Sequence, residues 1–267
     1  MGREAAPRPY GSVIRRPAVA GLFYPADGDE LAKTVDALLA QAGPRQASDL
    51  RGLVAPHAAY RYSGPVAAAA FALAPEEATV AVLGPSHFLP FAGLAVSSAD
   101  AWATPLGDVP VSARLRGAAL EAGAFVLDEP HAGEHALEVE LPFLQRACRR
   151  GLEVLPVAVG RTGPDDVARL IEALDGLVVV STDLSHYHPD ARARELDRRT
   201  ADAVLARNHA AIGDNATCGV FALRGLVEHA RRANLGVELL DLRTSADTAG
   251  DPDRVVGYGA FALRGVA

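Results

Sequence analysis

Short, nearly continuous apolar runs rich in Val, Leu and Ala alternate along this chain with longer segments of helical period. The apolar runs at 52–55, 79–83, 93–97, 124–127, 153–159, 177–181, 237–242 and 255–263 predict strands. Between them, "DGDELAKTVDALLAQA" sets Leu31, Val35, Leu38 and Leu39 on one stripe, with acidic residues in the first turn where the helix dipole favours them. "GPDDVARLIEALDG" repeats the design with Val167, Leu170, Ile171 and Leu174, and Gly176 follows as a stop. "PDARARELDRRTADAVLARNH", opened by Pro189, and "GVFALRGLVEHARRAN" complete the helical set. Apolar strands separated by amphipathic helices predict a largely parallel central sheet covered on both faces. No repeat, linker or break in composition divides the chain, so the expected fold is a single three-layer α/β/α domain over 1–267. The closing "VVGYGAFAL" alternates and carries Gly257 and Gly259, which suits a strand inside the sheet or an antiparallel extension of it.

That architecture gives the histidines a meaning. In "LVAPHAAY", "VLGPSHFLP" and "VVVSTDLSHYHP" an apolar segment runs out into a polar turn bearing His57, His87 and His186. If those three strands are parallel neighbours, all three rings lie at the carboxyl edge of the sheet, where loops gather and ligands bind. A further pair, His131 and His135 in "DEPHAGEHALEVELPFLQRA", is four apart, but Gly133 stands between and no Glu follows the first His, so this is not the zinc-protease signature. His135, expected near the start of a helix with Leu137, Leu141 and Leu144 on its apolar face, is the better site candidate, with Glu134 and Glu138 as orienting partners. Neutral imidazoles with one carboxylate suit iron, zinc or copper and leave positions open for substrate or dioxygen. The carboxylate candidates are Asp183, which can equally act by hydrogen bonding to a site residue, and Asp247, which can equally be a loop aspartate.

Composition narrows the options. Of 267 residues 49% are hydrophobic and 22% charged, the profile of an ordinary globular protein. A net charge of -7 offers no broad electrostatic footprint for nucleic acid. Neither Cys148 nor Cys218 belongs to a CxxC pair, and both fall in helical patterns, so they read as small buried hydrophobes. Residues 1–16 carry charge and prolines without an apolar core, and read as a flexible extension rather than a signal peptide; no stretch is long and apolar enough to span a membrane, and a cytoplasmic location is expected. His188, His209 and His229 read as loop-mouth or surface residues.

The motifs "PAVAGLFYP", "GLVAPHAAYRYSG", "VLGPSHF", "TPLGDV", "GEHALEVELPFLQ", "STDLSHY" and "GYGAFAL", in this order and across nearly the whole chain, resemble the Memo family, also known as component B of the AmmeMemoRadiSam system. The resemblance implies a fold similar to LigB-type class III extradiol dioxygenases, which hold ferrous iron with two histidines and a carboxylate. It matches His57 and His87 to metal-site histidines, His186 to the catalytic histidine and His135 to the same pocket. Animal members supply a cysteine near the C-terminus as the third ligand. Neither cysteine here lies in that region, so Asp247 is the expected counterpart. The implied activity is a dioxygenase-like oxidation of a small molecule with a divalent metal, Fe(II) first and zinc or copper next. Two other readings are a metal-dependent hydrolase and a non-catalytic component working with radical SAM and AMMECR1-like proteins.

Overall fold

A computed structural model describes residues 12–43 and 49–265. Its strands in chain order are β1 (Ile14–Arg15), β2 (Leu50–Ala55), β3 (Glu77–Pro85), β4 (Leu94–Val96), β5 (Ala101–Thr104), β6 (Gly107–Pro110), β7 (Phe125–Val126), β8 (Gly151–Val159), β9 (Leu177–Ser181), β10 (His186–His188), β11 (Gly236–Thr244) and β12 (Val255–Arg264). The α-helices are α1 (Gly28–Ala42), α2 (Tyr60–Phe71), α3 (Ala113–Glu121), α4 (Glu129–Ala132), α5 (Leu141–Ala147), α6 (Pro164–Ala173), α7 (Asp190–Leu205) and α8 (Val220–Arg232).

The heart of the molecule is four parallel strands in the order β2-β9-β3-β8, extended by β12 on one side and by β4 and β7 on the other. β12 runs antiparallel to β2 and carries β10 and β11 on its other edge, which settles the place of the closing segment. Every residue from Leu53 to Ala55, Val80 to Pro85, Val154 to Val159 and Leu177 to Ser181 is buried. Side chains of a strand point alternately to the two faces, so a run without polar gaps requires cover on both. α6 and α8 pack together over β3 and β9, while α1, α2 and α5 form the layer over β2 and β12. The α6–α8 approach is close: a Cβ on Gly225 would stand 2.2 Å from Cβ of Val167, so only glycine lets the two helices meet there.

A second, small sheet, β1-β5-β6, was not anticipated, because its strands are two to four residues long and "TPLG" hides a hairpin between two of them. It also shortens the expected N-terminal extension. Ile14 and Arg15 pair with Ala101 and Trp102, and Arg15 is buried with its guanidinium 4.4 Å above the Trp102 ring. Residues 1–11 lie outside the described residues. No helix among the described residues is long and apolar enough to cross a membrane.

Candidate metal centre

β2, β9 and β3 are adjacent and parallel, so their carboxyl ends open on one edge. His57 lies two residues past β2, His87 two past β3, and His186 follows the turn that leaves β9. His57 is buried, with its ring centroid 5.3 Å from that of His87 and 5.4 Å from that of His135. The His87 and His135 rings are stacked at 4.7 Å.

The third member of this cluster is Cys218. Its Sγ lies 3.3 Å from Nε2 of His57, and donor atoms of His57, His87 and Cys218 all fall within 4.8 Å of one another. The cysteine is not helical, as its sequence pattern suggested; it precedes α8 in an irregular segment zipped to the end of β9. There the Cys218 N–H reaches the Asp183 carbonyl, the Asp183 N–H reaches Cys218 Sγ at 3.2 Å, and the Gly219 N–H donates to Thr182 Oγ1 at 2.8 Å. Gly219 makes this approach possible, since a Cβ would sit 2.7 Å from Thr182 Oγ1 and 3.1 Å from the Ser181 carbonyl oxygen.

Asp247, expected as the third ligand, stands elsewhere. It ends a one-turn 3-10 helix, where its carboxylate takes a 2.7 Å bond from Arg194 and accepts the Thr244 N–H in a capping box. With both oxygens committed to a local cap and a guanidinium, it fills the loop-aspartate alternative. The sulfur that could join His57 and His87 around a metal is that of Cys218. Distance from the C-terminus does not decide which side chain reaches the histidines; the segment before α8 folds back onto β9 and carries Cys218 to His57.

Each histidine has a defined tautomer where its other nitrogen meets an obligate acceptor. His87 Nδ1 lies 2.9 Å from Glu134 Oε1, so Nδ1 carries the proton and Nε2 is left as a lone pair for a metal. The same carboxylate accepts the backbone N–H groups of His87, His135 and Ala136. Burial works against its charge, but the His87 ring and these N–H groups outweigh burial and hold the Glu134 carboxyl at about 2. Glu134 therefore acts by orienting His87 and the 134–136 turn; although it lies close enough to share a cation with His87 and His135, its oxygens are already saturated. His135 belongs to the pocket, with Nδ1 3.2 Å from Glu134 Oε1, but it does not begin a helix. One turn closes from the Val139 N–H to the His135 carbonyl, and α5 starts only at Leu141, because Pro142 sits well at a helix start and poorly inside one. Glu138, expected beside His135, points the other way. It takes the Arg15 guanidinium, the Ala18 and Val19 N–H groups and the Tyr24 hydroxyl, tying the N-terminal segment to the turn that carries Glu134 and His135.

His186 opens β10, on the turn that leaves β9, and a proton on it would disfavour one on His57. Its Nδ1 is 2.8 Å from the Leu184 carbonyl, which can only accept, so Nε2 is free to take a proton. Burial lowers the pKa of His57, His135 and His186 alike, and neighbouring imidazoles push His57 down further. The neutral forms that metal binding and proton acceptance require are therefore the resting ones. Asp183 is buried under the site, accepting the His57 N–H at 2.9 Å, with burial raising its carboxyl to about 7. Next to His186, Tyr187 occupies the bulge between β10 and β12 with a φ of 62°, a strained conformation for an aromatic residue, and its ring projects into solvent. Phe88, 71% exposed, and Phe23, 4.7 Å from the His135 ring, complete the apolar rim. Nothing local in the sequence marks Phe23, near the N-terminus, as a neighbour of His135. Cys148, by contrast, is buried at the end of α5, and burial pushes its thiol up to about 11, as expected of an inert core cysteine.

The donor set fits a soft or borderline divalent metal. Two imidazole nitrogens and a sulfur converge, and burial pushes the Cys218 thiol up to about 12, so a cation is what would turn it into a thiolate.

Fold and pocket together define an α/β protein with a histidine- and cysteine-lined centre at the carboxyl edge of a parallel sheet. The family profile described as Memo-like protein matches residues 15–262. A MEMO1 family protein of Methanopyrus kandleri is 35% identical over 94% of this chain and 99% of its own length. One from Aquifex aeolicus is 36% identical over 92% and 97%, and one from Methanococcoides burtonii 35% over 94% and 100%. The chain belongs to the Memo family.

Proposed function

We propose that the protein is a metal-dependent oxidoreductase of the dioxygenase kind, acting on a small oxygenated molecule, with His57, His87 and Cys218 as ligands. The observation that carries this reading is the convergence of three ligand atoms within 4.8 Å beside the His135 imidazole. Fe(II) is the metal we favour, with copper and zinc as the alternatives that a nitrogen and sulfur donor set accommodates. A bound redox metal would supply electron transfer and Lewis acidity at the pocket.

The chain's own side chains supply the rest. His186 accepts a proton at Nε2 and returns it, a role suited to an imidazole held neutral at physiological pH. His135, stacked on His87, lines the same cavity and offers a second proton-transfer group. Phe23 and Phe88 give the rim an apolar surface that favours a partly hydrophobic substrate. The competing reading is a component that works with radical SAM and AMMECR1-like proteins, supported by the family resemblance alone.

Elemental analysis of protein purified without oxygen tests the centre: one equivalent of metal is expected in the wild type and much less in His57→Ala or His87→Ala. Oxygen uptake with a panel of catechols then tests the reaction. A metal-loaded protein inert toward every diol would remove the dioxygenase reading and favour the partner-dependent one.

A further inference from the structure

Behind His57, on the side away from Cys218, lies a buried group that the proposed chemistry does not use. Ser181 Oγ, at the end of β9, has three close polar neighbours: His57 Nδ1 at 2.7 Å, the Ala136 carbonyl oxygen at 2.6 Å and Glu140 Oε1 at 2.7 Å. A serine hydroxyl has one proton and two acceptor positions. The Ala136 carbonyl can only accept, so the hydroxyl proton goes there. The other two contacts must then arrive as donors, which places one proton on His57 Nδ1 and another on Glu140 Oε1.

The surroundings of Glu140 agree. It is 0% exposed, its Oε2 has no hydrogen-bond partner, and no Lys, Arg or His among the described residues forms an ion pair with it. An ionised carboxylate there would be desolvated and uncompensated, a costly state compared with the neutral acid. Burial, with the nearby Asp183 carboxyl adding to it, pushes Glu140 well above the usual carboxylate range.

We propose that Glu140 is held as a neutral carboxylic acid donating to Ser181, and that Ser181 locks His57 as its Nδ1–H tautomer, so that Nε2 faces Cys218 as a lone pair. Glu140 and Ser181 are then positioning residues that act through His57. Their consequence for metal affinity rests on the reading of His57 as a ligand; the protonation pattern does not. His87 receives its orientation from an ionised carboxylate directly, His57 from a neutral acid through a hydroxyl. Two imidazoles of one centre are thereby oriented while only one extra negative charge is buried beside it.

The test uses the full chain without metal. Infrared spectra at neutral pH should show a protonated-carboxyl carbonyl band that Glu140→Gln lacks. Nitrogen-15 NMR of the histidines should report the Nδ1–H tautomer of His57 in the wild type and in Glu140→Gln, whose amide N–H replaces the acid O–H as donor. Ser181→Ala should lose that preference and weaken Co(II) binding by about 10- to 100-fold, the range typical when the group orienting a ligand is removed. If Ser181→Ala does not fold, Ser181→Cys, nearly isosteric but a poor acceptor, reads the same loss. Identical carboxyl bands in wild type and Glu140→Gln, or an unchanged His57 tautomer in the serine variant, overturn the proposal. Failure of the wild type to bind Co(II) would sink the metal reading, while the infrared and NMR results would still decide the protonation pattern.

Discussion

Cys218 Sγ stands 3.3 Å from Nε2 of His57, across 161 residues of sequence, and this contact is what turns two histidines into a three-donor centre. Replacing Cys218 by Ala removes the only sulfur donor. Removing a group that merely orients a ligand costs about 10- to 100-fold in metal affinity, so loss of a ligand should exceed about 100-fold. Competition with a chromophoric chelator measures it. An unchanged affinity would exclude Cys218 from the centre. Asp247→Ala should leave the affinity as it was, since that carboxylate is engaged with Arg194 and the Thr244 cap.

The same thiol sets a pH dependence. Burial pushes Cys218 up to about 12 in the metal-free protein, whereas His57 is already neutral, its pKa lowered by burial and by the neighbouring imidazoles. Metal binding at neutral pH should therefore expel the thiol proton but none from His57, and affinity should rise by about tenfold per pH unit from neutrality into the alkaline range. Isothermal titration in buffers of different ionisation enthalpy counts the protons released. Release of none near pH 7 would show that the sulfur does not bind as thiolate.

His186 separates chemistry from metal holding. Its Nδ1 is committed to the Leu184 carbonyl, which leaves Nε2 as the nitrogen that can take a proton. His186→Ala should abolish turnover on any substrate that the wild type accepts while the metal content stays near one equivalent. Loss of the metal together with activity would make His186 a ligand instead.

These expectations show how far the sequence could be read. The three histidine turns were legible because an apolar strand followed by a polar turn has a fixed meaning in a parallel sheet, and β2-β9-β3 adjacency brings them together. Glu134 was legible through its position beside His135. Cys218 was not, because its placement depends on close packing of the 217–219 segment against β9, which a helical-looking pattern conceals. Glu138 turns away from His135 for a similar reason: its partners Arg15, Ala18, Val19 and Tyr24 are more than a hundred residues away in the chain. Long-range pairing of this kind leaves no local periodicity to read.

Stability gives a test of Glu134 that needs no metal. Its carboxyl falls from an ordinary value of 4.5 to about 2 on folding, worth about 3 kcal/mol when the group is ionised in both states. Because the folded value is the lower one, that stabilisation is fully present above about pH 4.5 and is lost as pH falls toward 2. Urea unfolding of the wild type should show the loss across this window. Glu134→Gln should be less stable at neutral pH and flatter through the same range. Parallel curves for the two proteins would mean that Glu134 is not charged in the fold.

The α6–α8 crossing offers a change remote from the centre. A methyl group on Gly225 would overlap Val167, with Cβ 2.2 Å and Cγ1 2.3 Å from the new carbon, and neither helix can yield without opening the layer over β3 and β9. Overpacking of this kind costs about 1–3 kcal/mol or more, so Gly225→Ala should lower the urea midpoint clearly. Gly225→Ala with Val167→Gly removes the opposing Cβ together with both its branches and should recover part of the loss. Contact residues couple by about 0.5–3 kcal/mol, and a double-mutant cycle with no coupling would show that the two helices do not meet at this point. Metal affinity of the folded single variant should match the wild type, because neither residue contributes to the pocket.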